Sequence, residues 1–174
     1  FIYAPEVLKT QIKNDRTTMY CSTEAELLQN FADRIEQFDI DIICSYDLIN
    51  HDLPFIIGRM RANNLKQWSK LSRHIRTVYP KKDNLFSLIT SGRMLLDLKS
   101  TFKNLLQIES DNLSSLVQSE LDIDRPILDF DNGSFCLTDQ RQMKKLISFN
   151  RKDTQFIKNI LDNKNVIALS EHIA

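Results

Sequence analysis

Two aspartates lie in positions where a carboxylate could do chemistry. Asp153 follows Phe149 and precedes Phe156 at helical spacing, which places it within the apolar stripe of a predicted helix. Asp52 comes just before Pro54, at the start of another predicted helix and shortly after a predicted buried strand. A buried charge is costly unless it is paired, and carboxylate oxygens are ligands that divalent cations prefer. Asp52 and Asp153 are therefore candidate metal ligands.

The same two aspartates also have a purely structural explanation. In that explanation Asp52 caps the helix that follows it, and Asp153 pairs with a basic side chain. Two carboxylates are fewer than a two-metal site needs, so spacing by itself leaves both explanations open.

Alternating strand and helix patterns must position these carboxylates. Thr23 and Glu26 form a capping box that starts the first helix, and Pro54 suits the first turn of the second. The order strand, helix, strand, helix favours an α/β domain. The predicted strands are 1–3, 17–21, 40–44 and 93–98; the later predicted helices are 113–121, 138–161 and 165 onward; the segments 61–85 and 122–138 are predicted to be irregular. The predicted inner faces are Leu27, Leu28, Phe31, Ile35 and Phe38 for the first helix, and Leu53, Ile56, Ile57 and Met60 for the second.

Composition excludes several classes of protein. The chain has 174 residues, a length typical of one domain, with 42% hydrophobic and 26% charged residues. Its 3 cysteines are too far apart for a zinc site, and its 3 glycines cannot build a phosphate-binding loop. No apolar run approaches the roughly 20 residues that a membrane-spanning helix needs. Because the chain begins with Phe1, we expect a globular piece of a longer protein. The odd number and wide spacing of the cysteines are typical of a reducing compartment.

The charge of the chain sums to zero but is unevenly distributed. Residues 53–82 contain no acidic residue, whereas residues 109–139 are acidic, with Arg125 as their only basic residue. A basic stretch with interleaved aromatic residues can bind phosphates and stack on bases. The alternative is a solvated loop that Trp68 anchors to the core. The candidate nucleic-acid contacts are Arg59, Lys66, Trp68, Lys70, Arg73 and Arg76.

Several segments, taken in order, resemble the exonuclease domain of B-family DNA polymerases. The segment 39–53, with the sequence DIDIICSYDLINHDL, resembles the second exonuclease motif, and Lys152-Asp153 resembles the third. The order and spacing of the segments make the resemblance more specific than any one motif. The segments that resemble the alpha-type members of the family are Trp68-Ser69-Lys70, Ser91–Asp97 and Leu113–Gln118, and Asn165–Ser170 resembles the passage into the polymerase palm.

The resemblance implies a former metal site. In active members, four carboxylates hold two divalent metals that cleave a mismatched 3′ end: two from an Asp-x-Glu in the first strand, one from the second motif and one from the third. Asp52 matches the second-motif acid and Asp153 the third-motif acid. Phe149 stands where a water-positioning tyrosine is expected, and Asp47 where an asparagine is expected. The other departures are His51 in place of the aromatic before the acid, Ser45 in place of a glycine, and the missing Asp-x-Glu.

These departures imply an exonuclease-like domain that has lost proofreading. The implied fold is ribonuclease H-like, a mixed sheet flanked by helices, here without its first strands. Residues 1–174 are then one domain fragment of a replicative DNA-directed DNA polymerase, ending at the entrance to the palm. The resemblance further implies that this domain needs no cofactor and is not catalytic by itself, and that the parent nucleotidyltransferase uses Mg²⁺. The implied partners are primer–template DNA, primase and accessory subunits in the nucleus, with no membrane.

Two other functions stay open on the sequence. Asp52 and Asp153 are both still acidic, so upstream residues could complete a residual metal-dependent 3′→5′ exonuclease. The basic stretch could instead make the chain a non-specific nucleic-acid-binding module.

Overall fold

The computed structural model describes residues 2–3, 18–74, 92–105, 107, 112–127 and 139–171. The chain forms two compact units, residues 1–96 and residues 97–174. Helices predominate, and the described strands form two short pairs. The predicted α/β class is therefore confirmed, while the single domain over residues 1–174 and the ribonuclease H-like topology stay predictions.

The strands lie close to their predicted positions. Strands β1 (Ile2–Tyr3) and β2 (Tyr20–Cys21) are parallel, with the first residue of each opposite the other. Strand β3 (Ile42–Ser45) pairs with β4 (Met94–Asp97). The Met94 backbone N–H donates to the carbonyl of Asp41, at a distance of 2.8 Å, just before β3 begins. The last residue of β4 opens the second unit.

Helix α1 (Glu24–Gln37) begins where its capping residues predict. The Thr23 hydroxyl accepts a hydrogen bond from the Glu26 N–H (3.1 Å), and the Glu26 carboxylate accepts one from the Ser22 N–H (2.6 Å). The helix ends one residue before Phe38, whose side chain is 65% exposed. The prediction that Phe38 belongs to the inner face was wrong, because the apolar spacing runs past the end of the helix.

Three helical segments follow β3 in the first unit. They are a π-helical turn (Leu48–Asp52), helix α2 (Leu53–Ala62) and a 3₁₀ segment (Lys66–Leu71). Pro54 lies in the first turn of α2, where the fixed φ of proline suits the helix. The 3₁₀ segment occupies part of the stretch that was predicted to be irregular.

The inner faces of α1 and α2 form the core of the first unit. The predicted inner-face residues other than Phe38 are buried or pack against buried ones, and each fully buried apolar side chain contributes about 1.5–3 kcal/mol. Residues from the turn, the 3₁₀ segment and β4 complete the core. Its buried members are Leu28, Ala32, Ile35, Leu48, Leu53, Ile57, Met60, Trp68, Leu71 and Leu95.

Four helices make up the described part of the second unit. They are α3 (Leu98–Leu105), α4 (Leu113–Leu121), α5 (Gln140–Lys164) and α6 (Val166–Glu171). Helix α4 has its predicted bounds, and α5 and α6 lie close to theirs. Helix α3 was not predicted, because it starts directly after β4 with no intervening loop residues. Of the predicted loop 122–138, only 122–127 lies within the described residues, and it contains neither helix nor strand.

Two helices of the second unit, α4 and α6, contact α5. Helix α6 follows α5 after a turn at Asn165, whose φ is +49°. Lys164 at the end of α5 forms an ion pair with Glu120 of α4, with 2.9 Å between Nζ and Oε2. Among the described helices, none combines the length and the apolar character needed to cross a membrane.

Candidate functional site

Asp52 lies at the junction between the π-helical turn and α2. Its backbone N–H donates to the Asp47 carbonyl (3.1 Å), which closes the turn. Its own backbone is already helical, with φ −70° and ψ −48°, and its side chain makes no capping hydrogen bond. An N-cap side chain reaches the helix N–H groups from an extended backbone. The structural explanation is therefore right about the position of Asp52 and wrong about its side chain.

Each oxygen of the Asp52 carboxylate contacts a different side chain from residues 45–51. The Ser45 hydroxyl donates to Oδ2, and His51 Nδ1 lies 2.9 Å from Oδ1. An ionised carboxylate only accepts hydrogen bonds, so Nδ1 is the donor. The His51 ring stacks on Phe55, with 6.4 Å between the ring centroids. Ser45 and His51 are departures from the second exonuclease motif, and both contact the acid of that motif.

Asp153 lies on the same face of α5 as Phe149, one helical turn later. The Phe149 residue is 9% exposed and the Asp153 side chain 18% exposed, so the carboxylate is drawn well into the unit. Ile160 is fully buried on the same stripe. The sequence prediction of a carboxylate within an apolar stripe is therefore confirmed.

Arg125 is the partner of Asp153. Its Nε donates to Asp153 Oδ1 and its Nη2 to Oδ2, both at 2.7 Å. Its Nη1 donates to the Ser114 hydroxyl at 2.9 Å, and the guanidinium lies 4.6 Å from the centroid of the Phe149 ring. Asp153 thus pairs with a basic side chain, as the structural explanation predicts.

As arranged, the side chains around the two aspartates do not fit a divalent cation. One guanidinium occupies both oxygens of Asp153, and two neighbours contact both oxygens of Asp52. Asp52 belongs to the first unit and Asp153 to the second, so each carboxylate is held within its own unit. In the part of the chain that the structure describes, no three His, Cys, Asp or Glu side chains are grouped to hold a metal ion.

Trp68, an aromatic residue of the basic stretch, is buried. Trp68 is 2% exposed and belongs to the core of the first unit, so its ring has no open face for a base. Trp68 therefore has the anchoring role that the alternative of a solvated loop predicts. Lys66 is exposed at the start of the 3₁₀ segment, and Arg76 lies outside the described residues.

Two cations of the basic stretch pair with acidic residues of α1. Arg59 Nε donates to Glu24 Oε1 at 2.6 Å, and Lys70 Nζ lies 2.8 Å from Asp33 and 2.7 Å from Glu36. The hydrogen bonds from Arg59 lower the pKa of Glu24, and those to Asp33 and Glu36 raise the pKa of Lys70. Phosphate would have to compete with these carboxylates.

A third cation, Arg73, connects two loops of the first unit. Its Nε donates to Asp39 Oδ1 (2.9 Å), its Nη2 to the Asp41 carboxylate, and its Nη1 to the Gly92 carbonyl (2.6 Å). The hydrogen bond from Arg73 lowers the pKa of Asp39. Arg59, Lys70 and Arg73, all candidate nucleic-acid contacts, therefore serve as internal counter-ions in this structure.

Comparison with known proteins identifies the family. The family model described as "DNA polymerase family B, exonuclease domain" matches residues 2–116, more than half of the chain. The chain belongs to this family. The residues that the family model matches include Asp47 and Asp52 but end before Arg125, Phe149 and Asp153.

Curated relatives of this B-family exonuclease domain are catalytic subunits of DNA polymerases. The DNA polymerase alpha catalytic subunit of Mus musculus is 26% identical over 92% of the chain, and that of Xenopus laevis 28% identical over 87%. The DNA polymerase delta catalytic subunit of Caenorhabditis elegans is 25% identical over 82%. The chain spans 11% of the length of the first two relatives and 14% of the third. The resemblance to B-family polymerases is therefore confirmed.

Sequence reasoning missed the role of Arg125. The signal that could have revealed it is charge, because Arg125 is the only basic residue between Glu109 and Asp139. A lone cation in an acidic stretch needs a specific reason to be there, and a carboxylate in an apolar stripe needs a partner. Matching the two would have predicted the ion pair with Asp153.

Proposed function

We propose that the chain is a catalytically silent, exonuclease-like scaffold domain of a replicative DNA-directed DNA polymerase of the alpha type. Its fold would be ribonuclease H-like. The observation that carries the proposal is that both oxygens of Asp153 are bound by Arg125. A two-metal exonuclease needs this carboxylate free for a cation.

Two further features support the loss of proofreading. Phe149 stands four residues before Asp153, where the resemblance expects a tyrosine that positions the attacking water. A phenyl ring has no hydroxyl, and this ring is buried beneath the Arg125 guanidinium. Asp52 is contacted by Ser45 and His51, which stand where the second motif has other residues.

The proposal includes the context of the domain. The domain would act beside the polymerase core of a longer nuclear protein that extends primers with Mg²⁺ and works with primer–template DNA, primase and accessory subunits. The support for this context is the similarity to catalytic subunits of DNA polymerases alpha and delta. Asp52 and Asp153 would be vestigial ligands, and Asp47 and Phe149 vestigial positions of the same former site.

The test is a 3′→5′ exonuclease assay on a mismatched primer–template, using the whole polymerase that carries this domain. Nucleotides are left out so that synthesis cannot mask degradation, and Mg²⁺ and Mn²⁺ are tried separately. The control replaces both aspartates with Asp52→Asn and Asp153→Asn, which keep the side-chain volume. We expect the wild-type protein to shorten the primer no faster than this control.

One outcome would overturn the proposal. If the wild-type protein removes the mismatched nucleotide and the double Asn variant does not, the domain is an active exonuclease despite Phe149. Because both proteins carry the same polymerase core, such a difference could not come from the synthesis site.

A further inference from the structure

We infer that Arg125 is a built-in cation that has replaced a metal ion at Asp153 and turned the former site into a metal-independent clasp of the second unit. The inference rests on the proposed loss of the exonuclease. It deepens that proposal by assigning a present role to Asp153, which is to hold the segment after α4 against α5.

All three nitrogens of the Arg125 guanidinium donate hydrogen bonds. Two of these hydrogen bonds go to Asp153 and one to Ser114, at 2.7 to 2.9 Å. Its guanidinium carbon Cζ lies over the Phe149 ring, 4.6 Å from the ring centroid. A bidentate guanidinium–carboxylate pair is a strong, geometrically specific interaction, and stacking on an aromatic face adds to it. The arginine is therefore built into the site rather than resting on it.

Helical geometry explains why Phe149 belongs to the clasp. Residues four apart lie one above the other on a helix, so the ring and the Asp153 carboxylate form a single surface on α5. The guanidinium covers both at once, and Ser114 holds its third nitrogen from α4. One side chain thus connects α4, the segment 122–127 and α5, all within the second unit.

The clasp and a metal ion exclude each other. A divalent cation at Asp153 would have to displace a guanidinium that already bonds both oxygens and carries a positive charge of its own. The Arg125 and Asp153 side chains are 16% and 18% exposed, so their charges are poorly screened by water. Metal ions should therefore not stabilise the wild-type chain.

The experiment measures the unfolding temperature of the full chain with and without Mn²⁺. The variants are Arg125→Gln, Asp153→Asn and the double variant, and the matched control is Lys152→Gln, which removes an exposed cation next to Asp153. We expect each single clasp variant to unfold at a temperature roughly 5–10 °C lower, because each leaves a largely buried polar group without its partner. We expect the unfolding temperature of the double variant to fall by less than the sum of the two single losses. Lys152→Gln should unfold at the wild-type temperature, and Mn²⁺ should raise the unfolding temperature of neither of these two proteins.

A second variant and a second readout keep the test decisive if Arg125→Gln folds poorly. Arg125→Lys keeps the charge but loses the planar fork, so it should recover only part of the lost stability. Amide hydrogen exchange should speed up in α4 and α5 of this variant and stay unchanged in α1 and α2. Additive single and double losses, or a wild-type Arg125 chain that Mn²⁺ stabilises through Asp153, would overturn the clasp.

Failure of the clasp and failure of the proposed function give different results. If Arg125→Gln is as stable as wild type while the exonuclease assay stays negative, the clasp is wrong and the silent domain stands. If the exonuclease assay is positive, the proposed function is wrong whatever the unfolding temperatures are.

Discussion

Gly92 occupies a position that has no room for a side chain. Its φ is +83°, and a Cβ added there would lie 2.9 Å from the Cβ of Arg73. The same arginine donates to the Gly92 carbonyl and to the carboxylates of Asp39 and Asp41. Any side chain at residue 92 must therefore push Arg73 out of the contacts that connect two loops of the first unit.

We expect Gly92→Ala to lower the free energy of unfolding by about 1–2 kcal/mol, because an L-residue is strained at this φ. Gly58→Ala is the matched control, since Gly58 lies within α2 and, apart from its chain neighbours and the backbone of its own helix, no described atom lies within 4 Å of an added Cβ. The control should raise the free energy of unfolding by about 0.5–1 kcal/mol. Urea unfolding measures both, and a change of the same sign in the two variants would contradict this account.

At the scale of elements, α1 gives the first unit an acidic surface that neighbouring segments neutralise. Glu24 accepts from Arg59 of α2 and from the Asn63 amide, while Asp33 binds Lys70 of the 3₁₀ segment. Each pair connects α1 to an element that packs on it. These side chains are partly exposed, so each ion pair contributes little to the free energy of unfolding. Its main effect is to fix how α1 is oriented against the element that packs on it.

The Glu24 pair predicts how stability changes with pH. Because Arg59 lowers the pKa of Glu24 in the folded chain, the pair stabilises the fold at neutral pH, and this contribution is lost as the pH falls through the lowered pKa. The stability of wild type relative to Glu24→Gln should therefore be greatest near pH 7 and vanish in acid. Urea unfolding across this range tests it. A stability difference between wild type and Glu24→Gln that stays constant with pH would contradict this account.

In the described part of the first unit, folding neutralises part of the charge asymmetry seen in the sequence. The basic stretch 53–82 faces the acidic residues of α1 and of the loop before β3, where the structure describes it. A surface whose cations already have carboxylate partners releases few counter-ions when it binds DNA. The hypothesis of a nucleic-acid-binding module therefore loses part of its basis.

We expect Lys70→Ala and Arg73→Ala to leave the salt dependence of DNA binding unchanged, because both cations are engaged within the first unit. Fluorescence anisotropy with single-stranded DNA at several salt concentrations measures the slope. Lys66→Ala is the comparison, since this lysine is exposed. A slope that falls by about one for Lys70→Ala or Arg73→Ala would mean that these cations contact phosphate after all.

Local patterns in the sequence predicted most of the helices. Caps such as Thr23, apolar spacing and the position of Pro54 act within one or two helical turns, so they can be recognised without knowing the fold. The prediction of helix bounds and inner faces failed where the local sequence pattern did not change at the end of an element. Phe38 continued the spacing of α1 after the helix had ended, and α3 followed β4 without a loop.

The sequence by itself determined the family, the α/β class and the expectation that the Asp153 carboxylate is paired, bound to a metal or facing a cleft. Only the tertiary structure decided that the partner is Arg125, that Trp68 is buried and that Lys70 faces α1. Helical periodicity extends over a few residues, whereas Arg125 and Asp153 are 28 positions apart and Lys70 and Asp33 are 37 apart. Such pairs form only when the chain packs, because the free energy that selects them depends on burial and distance in space.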